Sequence, residues 1–496
     1  MATNRLFGLH RAVLALGMSV VFAGCAVGPD YHRPAPPAAQ GYMEEGTLSS
    51  TTSAPGADGQ AQHFKTDMDI PGQWWTLFQS EPLNGLIDDA LKHNPDAAAA
   101  QDALRQAMED VRAQRGQYFP QVSAGVDVTR QKTGQVLSSA LTSNATLYNL
   151  TTAQLSISYV PDLWGGNRRQ VESLVAQADA QRFQLEATYL TLTSNLVNAA
   201  VQEAALRAQI AATQDMIDSQ SKILDTSKKQ FGLGDASEND VAAQEATLEQ
   251  TRAGLPPLHK QLAQQRDVLA VLTGRTPDQD VSAHFSLESL QLPQDLPLTL
   301  PARLVEQRPD VRMADAQLHA ACAQVGVAFA ARLPNINVTA NWGSATDQMH
   351  TLFGSGTGFW NIGAAITAPL FDGGTLRHKQ RAAEAAYRQA AEQYRSTVLT
   401  ALQNVADTLH ALQSDAETMA AAARAERASA RSYAIAQKQY ALGDVSMVAL
   451  LNAQVTYRQA ELNLIQARAA RYADTVALFQ ALGGGWWNRH DVAAAQ

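Results

Sequence analysis

Four short segments of the chain alternate apolar and polar residues, which is the period of a β-strand with one apolar face. They run from Val122, from Gln154, from Ile336 and from Asn361. Each is about ten residues long, the length that a tilted strand needs to cross a bilayer. Alternation alone also fits any half-buried sheet. We predict four β-strands here, each with one face suited to lipid.

Two much longer segments have the pattern of helices. From Gly166 to about Gln230, and from Gly374 to about Tyr440, the interior contains no Pro or Gly and is rich in Ala, Gln, Leu and Glu. Apolar residues such as Leu185, Tyr189 and Leu192 recur at spacings of three and four. At 1.5 Å per residue, each segment predicts a helix of roughly 100 Å.

The chain repeats itself once. Lys229–Ser237 returns as Lys438–Ser446, with the same Leu-Gly-Asp core. Other matched pairs are Asn94-Pro95-Asp96 with Arg308-Pro309-Asp310, Phe119-Pro120 with Leu333-Pro334, Gly165-Gly166 with Gly373-Gly374, and Leu272-Thr273-Gly274 with Ala481-Leu482-Gly483. The offset stays near 210 residues, so the pattern indicates a tandem duplication of one long unit.

The duplication organises the whole chain. Each copy should contain a helix, two strands, a very long helix, a Gly-Asp turn and a helix of about half that length. We predict a helix from Leu83 to Gln117 before the first strand, and a bend at Gly254-Leu255-Pro256-Pro257. The predicted segments are 1–24 as signal peptide, 25–80 as lipid-anchored tether and belt segment at mid-height, 81–275 as first structural repeat, 276–301 as mid-height linker, 302–483 as second structural repeat and 484–496 as C-terminal tail.

The N-terminus carries an export signal. Arg5 and Arg11 precede an apolar run of about a dozen residues, too short for a bilayer, which needs about 20. The run ends in Phe22-Ala23-Gly24-Cys25, which resembles a bacterial lipobox, so we predict a covalent lipid on Cys25. The alternative is an ordinary signal peptide with an incidental Cys. Ala26, which follows Cys25, favours localisation of the lipoprotein in the outer membrane. The other cysteine, Cys322, should be a small buried residue.

Composition excludes several classes of protein. The net charge is −9 with no basic stripe, so a nucleic-acid partner is not expected. His319, His378 and His410 lie on predicted helices without a partner at metal-binding spacing. No phosphate loop, nucleophile elbow or Cys-x-x-Cys is present. We therefore predict no enzymatic activity, no metal and no cofactor beyond the lipid on Cys25.

Four strands cannot close a membrane barrel, because an open edge leaves backbone groups unsatisfied in lipid. Two copies would give eight strands and a filled interior, whereas three would give twelve strands and a possible lumen. The trimer is favoured, because a lumen is the more useful product.

The combined motifs resemble a known family. They are the lipobox followed by Ala26–Tyr31, the Asn94-Pro95-Asp96 entry helix, the doubled Leu-Gly-Asp turn and Pro369–Gly374. Their order and duplication are similar to those of the TolC-type outer-membrane efflux proteins, in the lipoprotein branch with OprM and NodT. The resemblance covers essentially the whole mature chain. It implies a mainly α fold with a transmembrane β-barrel portion, in which three duplicated protomers form a twelve-stranded barrel in the outer membrane and a long α-helical barrel in the periplasm.

The resemblance also implies partners and sites. The partners are two further copies, a periplasmic adaptor, an inner-membrane pump of the RND or another type, and outer-membrane lipid. The adaptor would dock on the two turns, at Leu233, Gly234, Asp235, Ser237, Leu442, Gly443, Asp444 and Ser446. Asp240 and Tyr440 fall where the closed family pore has a bonded pair. Where many relatives place Asp rings, this chain has Ala449 and Asn452, so Asn452 would form an uncharged polar ring. Tight-turn scaffolding is the structural alternative for the two turns, and solvent-facing polar side chains are the alternative for Asp240 and Tyr440.

The sequence thus predicts an outer-membrane exit channel that passively conducts small toxic compounds from a pump and adaptor to the exterior. One alternative is an exit duct for type I protein secretion. An alternative of a different class is a trimeric coiled-coil surface lipoprotein, which would explain the long helices and the lipid but not the four alternating strands.

Overall fold

The computed structural model describes residues 26–489 apart from residues 36, 40, 44–45, 47–48, 67, 133 and 135–145. The predicted signal peptide and Cys25 lie outside the described residues. The chain divides into two compact units. Unit 1 comprises residues 1–34, 104–181 and 314–394, and unit 2 comprises residues 35–103, 182–313 and 395–496.

The same order of elements occurs twice. A short strand, β1 (His63–Lys65), precedes the first series. That series is α1 (Glu81–His93), α2 (Pro95–Arg115), β2 (Gln121–Lys132), β3 (Leu147–Tyr159), α3 (Gly166–Leu233), α4 (Glu238–Ala253) and α5 (Leu255–Leu272). After β4 (Asp295–Pro297), the second series is α6 (Pro301–Gln307), α7 (Pro309–Ala330), β5 (Asn335–Thr346), β6 (Gly358–Thr367), α8 (Thr375–Leu442) and α9 (Met447–Ala481).

The two long helices are confirmed, since α3 and α8 each contain 68 residues. The predicted interruption is also confirmed: Gly254 separates α4 from α5, and the two Pro residues that follow cannot donate backbone hydrogen bonds. In the second copy α9 runs unbroken for 35 residues. None of the helices among the described residues is both long and apolar enough to cross a bilayer.

The prediction of one helix from Leu83 to Gln117 is wrong, because the chain breaks at Asn94. The residue before Pro95 is pushed out of the helical region, and Asn94 has φ −69° and ψ 125°. Its side-chain oxygen then caps α2, accepting from the Asp96 and Ala97 amides at 2.9 and 3.1 Å. Arg308 is extended in the same way before Pro309.

The two breaks make matching contacts in unit 2. Asn94 donates to the Leu272 carbonyl at 3.0 Å, and Arg308 donates to the Ala481 carbonyl at 2.9 Å. A Cβ on Gly274 would lie 2.3 Å from the His93 carbonyl oxygen, so only Gly permits this approach. Each entry helix is thereby joined to the end of the last helix in its own copy.

Unit 1 contains the four predicted strands as one antiparallel sheet of order β2-β3-β5-β6. Ala124 pairs with Leu155, Leu155 with Trp342, and Trp342 with Trp360, so these side chains share one face. The exposed apolar residues of that face are Val122, Val126, Val128, Leu155, Ile157, Trp342, Trp360, Ile362 and Ile366. The opposite face carries mostly Ser, Asn, Gln, Asp and Thr, together with Tyr148, Leu150 and Phe359. The sheet therefore has one apolar and one polar surface.

The segment after Cys25 also belongs to unit 1. Asp30 pairs with Arg169 at 2.6 Å, and Arg33 donates twice to Asp315 at 2.7 and 2.9 Å. The Tyr31 ring stacks on His319 with centroids 4.4 Å apart. Cys322 is buried, as predicted, and burial raises the pKa of its thiol. Residues 26–33 are thus fixed onto α3 and α7.

Aromatic packing builds the core of unit 2. Trp74 stacks on Phe479 with ring centroids 5.2 Å apart, and the Phe78 and Tyr472 ring centroids lie 6.2 Å apart, so the Trp74-Trp75 cluster is part of the core. β1 pairs in parallel with β4. The fully buried Arg471 donates to the carbonyls of Asp58 and Gln60 at 2.7 Å each, which holds this part of the tether on α9.

Candidate functional site

The first candidate docking element is the turn between α3 and α4. Gly234 has φ +85°, a left-handed conformation that favours Gly. Its amide donates to Phe231 O at 3.0 Å, and the Asp235 amide donates to Gln230 O at 2.8 Å. This pair of bonds is a Schellman motif, which satisfies carbonyls left open by the end of α3.

The second turn, between α8 and α9, repeats this geometry. Gly443 has φ +80° and donates to Tyr440 O at 3.0 Å, while Asp444 donates to Gln439 O at 2.8 Å. Nothing lies within 4 Å of a Cβ placed on Gly234 or Gly443. Backbone conformation, not crowding, therefore explains Gly at both positions.

Both turns present apolar side chains to solvent. Leu233 is 78% exposed and Leu442 is 77% exposed. Asp235, Ser237, Asp444 and Ser446 are exposed beside them. An exposed Leu at the same place in both copies does not stabilise the turn that carries it. These leucines are available for contact with another chain.

Two serines start the helices that follow the turns. Ser237 Oγ accepts from the Asp240 amide at 3.1 Å, while Asp240 Oδ2 accepts from the Ser237 amide at 3.2 Å and from its hydroxyl at 2.7 Å. These bonds form a capping box. In the second copy Ser446 accepts from the Ala449 amide at 3.4 Å, and Ala449 has no side chain to complete the box.

The predicted pair Asp240 and Tyr440 is not hydrogen-bonded within one chain. The Asp240 carboxylate accepts hydrogen bonds from Ser237 within the capping box, and the Tyr440 hydroxyl donates to Gln230 Oε1 at 3.2 Å. Both residues are half-buried. The Asp240–Tyr440 link in a closed channel stays a prediction. Gln230 was not predicted as the partner of Tyr440. Its only signal in the sequence is that it precedes the first turn as Gln439 precedes the second.

Tyr440 belongs to an aromatic cluster that joins three helices. It packs with Ile223 of α3 against a core that includes Tyr433 and Met447. Tyr433 stacks on Tyr457 at 5.7 Å, and its hydroxyl lies 3.0 Å from Ser219 Oγ. Asn452 is exposed on α9 near this cluster in sequence. The second turn is therefore supported by packing on α3 as well as by its own backbone bonds.

A further acidic group was missed by the sequence analysis. Burial, followed by the nearby charges of Glu426 and Asp215, raises the pKa of the Glu461 carboxyl. Burial and the Glu461 charge also raise the pKa of the Tyr457 hydroxyl. Tyr457 and Glu461 are four residues apart on α9, a spacing that could have indicated their contact.

Among the residues that the structure describes, no group of three or more His, Cys, Asp or Glu side chains is placed to hold a metal ion.

The sequence model of the family described as "Outer membrane efflux protein" matches residues 86–275 and again residues 300–484. This chain belongs to that family, the TolC-type outer-membrane efflux proteins. The family consists of channel proteins, and no catalytic family is indicated.

Individual relatives are similar in sequence to this chain along nearly its whole length. The probable efflux pump outer membrane protein TtgC of Pseudomonas putida is 28% identical over 98% of each chain. The pyoverdine export outer membrane protein OpmQ of the same species is 28% identical over 87% of this chain and 92% of its own. The solved outer-membrane channel OprN superposes with a TM-score of 0.82 at 26% identity, covering 93% of this chain and all of that one.

Proposed function

We propose that the protein is the outer-membrane exit channel of a tripartite efflux system, passively conducting small toxic compounds from an inner-membrane pump and a periplasmic adaptor to the exterior. The observation that carries this proposal is the family match, which covers both copies of the repeat. Relatives named for efflux support it, since they match over nearly their full length. No catalytic step is part of this function.

The working form in this proposal is a homotrimer with twelve strands. The four-stranded sheet supports it, because each edge strand leaves a row of backbone groups without a partner in the chain. The apolar face of the sheet exposes Val, Ile and Trp side chains, the surface expected of strands in lipid. Three copies would pair these edges and enclose a lumen lined by the polar face. The 68-residue helices α3 and α8 would form the helical barrel in the periplasm.

The adaptor would dock on the two turns. Support comes from their matching Schellman geometry and from the exposed Leu233 and Leu442 beside acidic and hydroxyl side chains. The pump, of the RND or another type, would act through that adaptor.

We propose a latch in the resting channel, from the Tyr440 hydroxyl to the Asp240 carboxylate. Each residue already has a weaker or local partner within its own chain, Gln230 for Tyr440 and Ser237 for Asp240. A ring of Asn452 would add an uncharged polar constriction.

The lipid on Cys25 is a second anchor in this proposal. Its support is the lipobox in the sequence and the tight fixation of the residues that follow, Asp30 on Arg169 and Arg33 on Asp315. The tether to residue 80, the linker 276–301 and the tail 484–496 would form the mid-height belt. The β1–β4 pairing and the bond from Trp486 Nε1 to the Gln307 carbonyl support that grouping.

The alternatives fit less well. A coiled-coil surface lipoprotein does not explain a sheet with one apolar and one polar face. A duct for type I protein secretion would share this fold, but TtgC and OpmQ are named for efflux and for pyoverdine export.

The proposal is tested by deleting the gene in its own host and measuring accumulation of a fluorescent efflux dye in energised cells. Deletion should raise accumulation, and the wild-type gene on a plasmid should restore efflux. Unchanged accumulation after deletion, in a host whose other outer-membrane efflux channels are also deleted, would refute the proposal.

A further inference from the structure

We propose that the apolar face of the sheet holds a specific site for a phosphorylated lipid, with an acyl chain in a pocket beside Trp342 and Phe353 and the phosphate on Arg130 and Lys132. The inference rests on the proposed placement of this sheet in a membrane.

Along one face of β2 the side chains change from apolar to basic. Val122, Ala124, Val126 and Val128 occupy alternate positions of the strand, and the same alternation continues to Arg130 and Lys132. All six side chains therefore point to the same side of the sheet. An apolar band ends in two adjacent cations at the end of β2 that leads into the β2–β3 loop.

Both cations are exposed, and neither pairs with a carboxylate among the described residues. The only acidic residue of β2, Asp127, occupies the opposite face of the strand. Two cations at the edge of an apolar surface attract an anionic headgroup, since each basic residue near a membrane surface contributes about 1 kcal/mol of attraction.

The second observation is a pocket on the same face. It has a volume of about 550 Å³, within the range of ligand pockets, and its apolar wall is formed by Ala124, Val126, Leu155, Trp342 and Phe353. None of the described residues that line it carries a charged side chain. Val126 precedes Arg130 by four residues, about 13 Å along a strand. An acyl chain reaches across that distance from a phosphate on the cations to the pocket.

The third observation is the strained residue that closes the pocket. Phe353 has φ +71°, an unfavourable conformation for a bulky side chain. Its amide is held there by Ser344 Oγ at 3.1 Å, while its ring stays 75% exposed. Such strain persists where it positions a functional group. Here it holds an aromatic ring over an apolar pocket, ready to pack against a hydrocarbon chain.

The ligand chemistry follows from these three features. A neutral lipid would use the pocket and not the cations, and free phosphate would use the cations and not the pocket. An anionic amphiphile with long acyl chains uses both, and a phosphate headgroup supplies the acceptor oxygens that Arg and Lys bind. A phosphorylated glycolipid of an outer leaflet and an anionic phospholipid share this chemistry.

The test uses the purified full-length protein in nanodiscs of phosphatidylethanolamine, supplemented with a diphosphorylated lipid A, its dephosphorylated form, or phosphatidylglycerol. Lipid that stays bound after transfer to detergent is counted by native mass spectrometry. The wild type should retain diphosphorylated lipid A at least tenfold better than the dephosphorylated form. The phosphatidylglycerol sample shows whether a glycolipid or a simple anionic phospholipid is preferred.

Two variants and a control separate the parts of the site. Arg130→Gln with Lys132→Gln should lower retention of the phosphorylated lipid by roughly 10- to 30-fold and leave the dephosphorylated form unchanged. Phe353→Ala should lower retention of both. Lys260→Gln, an exposed charge change on α5, should behave like the wild type. Equal retention by the double variant and the wild type would overturn the proposal, and so would tight binding of inorganic phosphate alone to lipid-free protein.

Conductance of the same samples in planar bilayers keeps the two hypotheses apart. The variants should conduct like the wild type while losing lipid. A wild type that binds the lipid but forms no channel would contradict the proposed function and not this site.

Discussion

Single residues explain why both turns have the same sequence in the two copies. Gly234 and Gly443 are required by positive φ, and Ser237 and Ser446 by the open amides of the next helix. The sequence predicted the role of the two glycines, because it depends only on neighbours along the chain, but it did not predict that the two serines cap helices. It did not predict that Tyr440 bonds to Gln230, because that contact joins residues 210 positions apart.

The latch is the first prediction at this scale. Asp240→Ala or Tyr440→Phe should raise single-channel conductance, because each removes a charge-assisted bond of about 1.5–3 kcal/mol from the closed state. The double variant should conduct no better than either single variant, since both changes break one link.

Two controls separate the latch from local structure. Ser237→Ala removes the capping box, and Gln230→Met removes the intrachain partner of Tyr440. Both should conduct like the wild type. If Ser237→Ala opens the channel as much as Asp240→Ala, Asp240 acts only as a helix cap.

The buried carboxyl of Asp474 gives the second residue prediction. Burial, and then the neighbouring Asp415, raise the pKa of Asp474 from 3.8 to about 7. Between about pH 4 and pH 7 the unfolded chain releases a proton that the folded chain retains, so the free energy of unfolding falls as the pH rises. Above about pH 7 the folded protein carries the full free-energy cost of the ionised Asp474 carboxyl.

Asp474→Asn should therefore stabilise the protein at pH 8 and have less effect at pH 5. After a discount for partial solvent exposure we expect about 1–2 kcal/mol, measured as a shift in apparent unfolding temperature. Glu417→Gln, an exposed change on α8, is the matched control. Equal shifts at the two pH values would show that Asp474 keeps no proton in the folded protein.

At the scale of elements, periodicity predicted the strands and the two long helices well. Both depend on patterns that repeat over ten residues or more. The break at Asn94 was missed because the helical composition continues across it, and one Pro at the next residue decided the outcome. The strand order and the position of residues 26–33 on α3 and α7 were not predictable, because they depend on contacts between distant segments.

The docking turns give the prediction at this scale. Leu442→Glu should abolish efflux while leaving trimer and membrane levels unchanged, because it buries a charge in the contact with the adaptor. Dye accumulation in cells measures the loss. Gln264→Glu adds the same charge at an exposed position of α5 and should be silent. Normal efflux with Leu442→Glu would reduce both turns to scaffolding between helices.

At the scale of the whole molecule, the duplication carries the function. The family match covers both copies, and each copy contributes two strands, one long helix and one turn. The duplication could be predicted from the sequence alone, because a repeat of about 200 residues is visible without any structure. The proposed closing of three chains into one channel would pair the open edges of the sheet.

Anchoring is the prediction that concerns the mature molecule. Cys25→Ser should lose metabolic labelling with an acyl-chain probe but keep part of the efflux activity, because the strands proposed to span the membrane would also hold the protein there. Labelling of the variant at the wild-type level would remove the lipid from the account. Complete loss of the protein from the outer membrane would show that the strands do not anchor it.

The central claim is that three copies of this chain form one channel through a membrane. The most direct measurement is single-channel recording in planar bilayers with protein whose mass has been determined in detergent. We predict a particle of three protomers, discrete conductance steps, and larger steps for Tyr440→Phe than for the wild type. A monomer, a dimer or a trimer that gives no conductance steps would contradict the account.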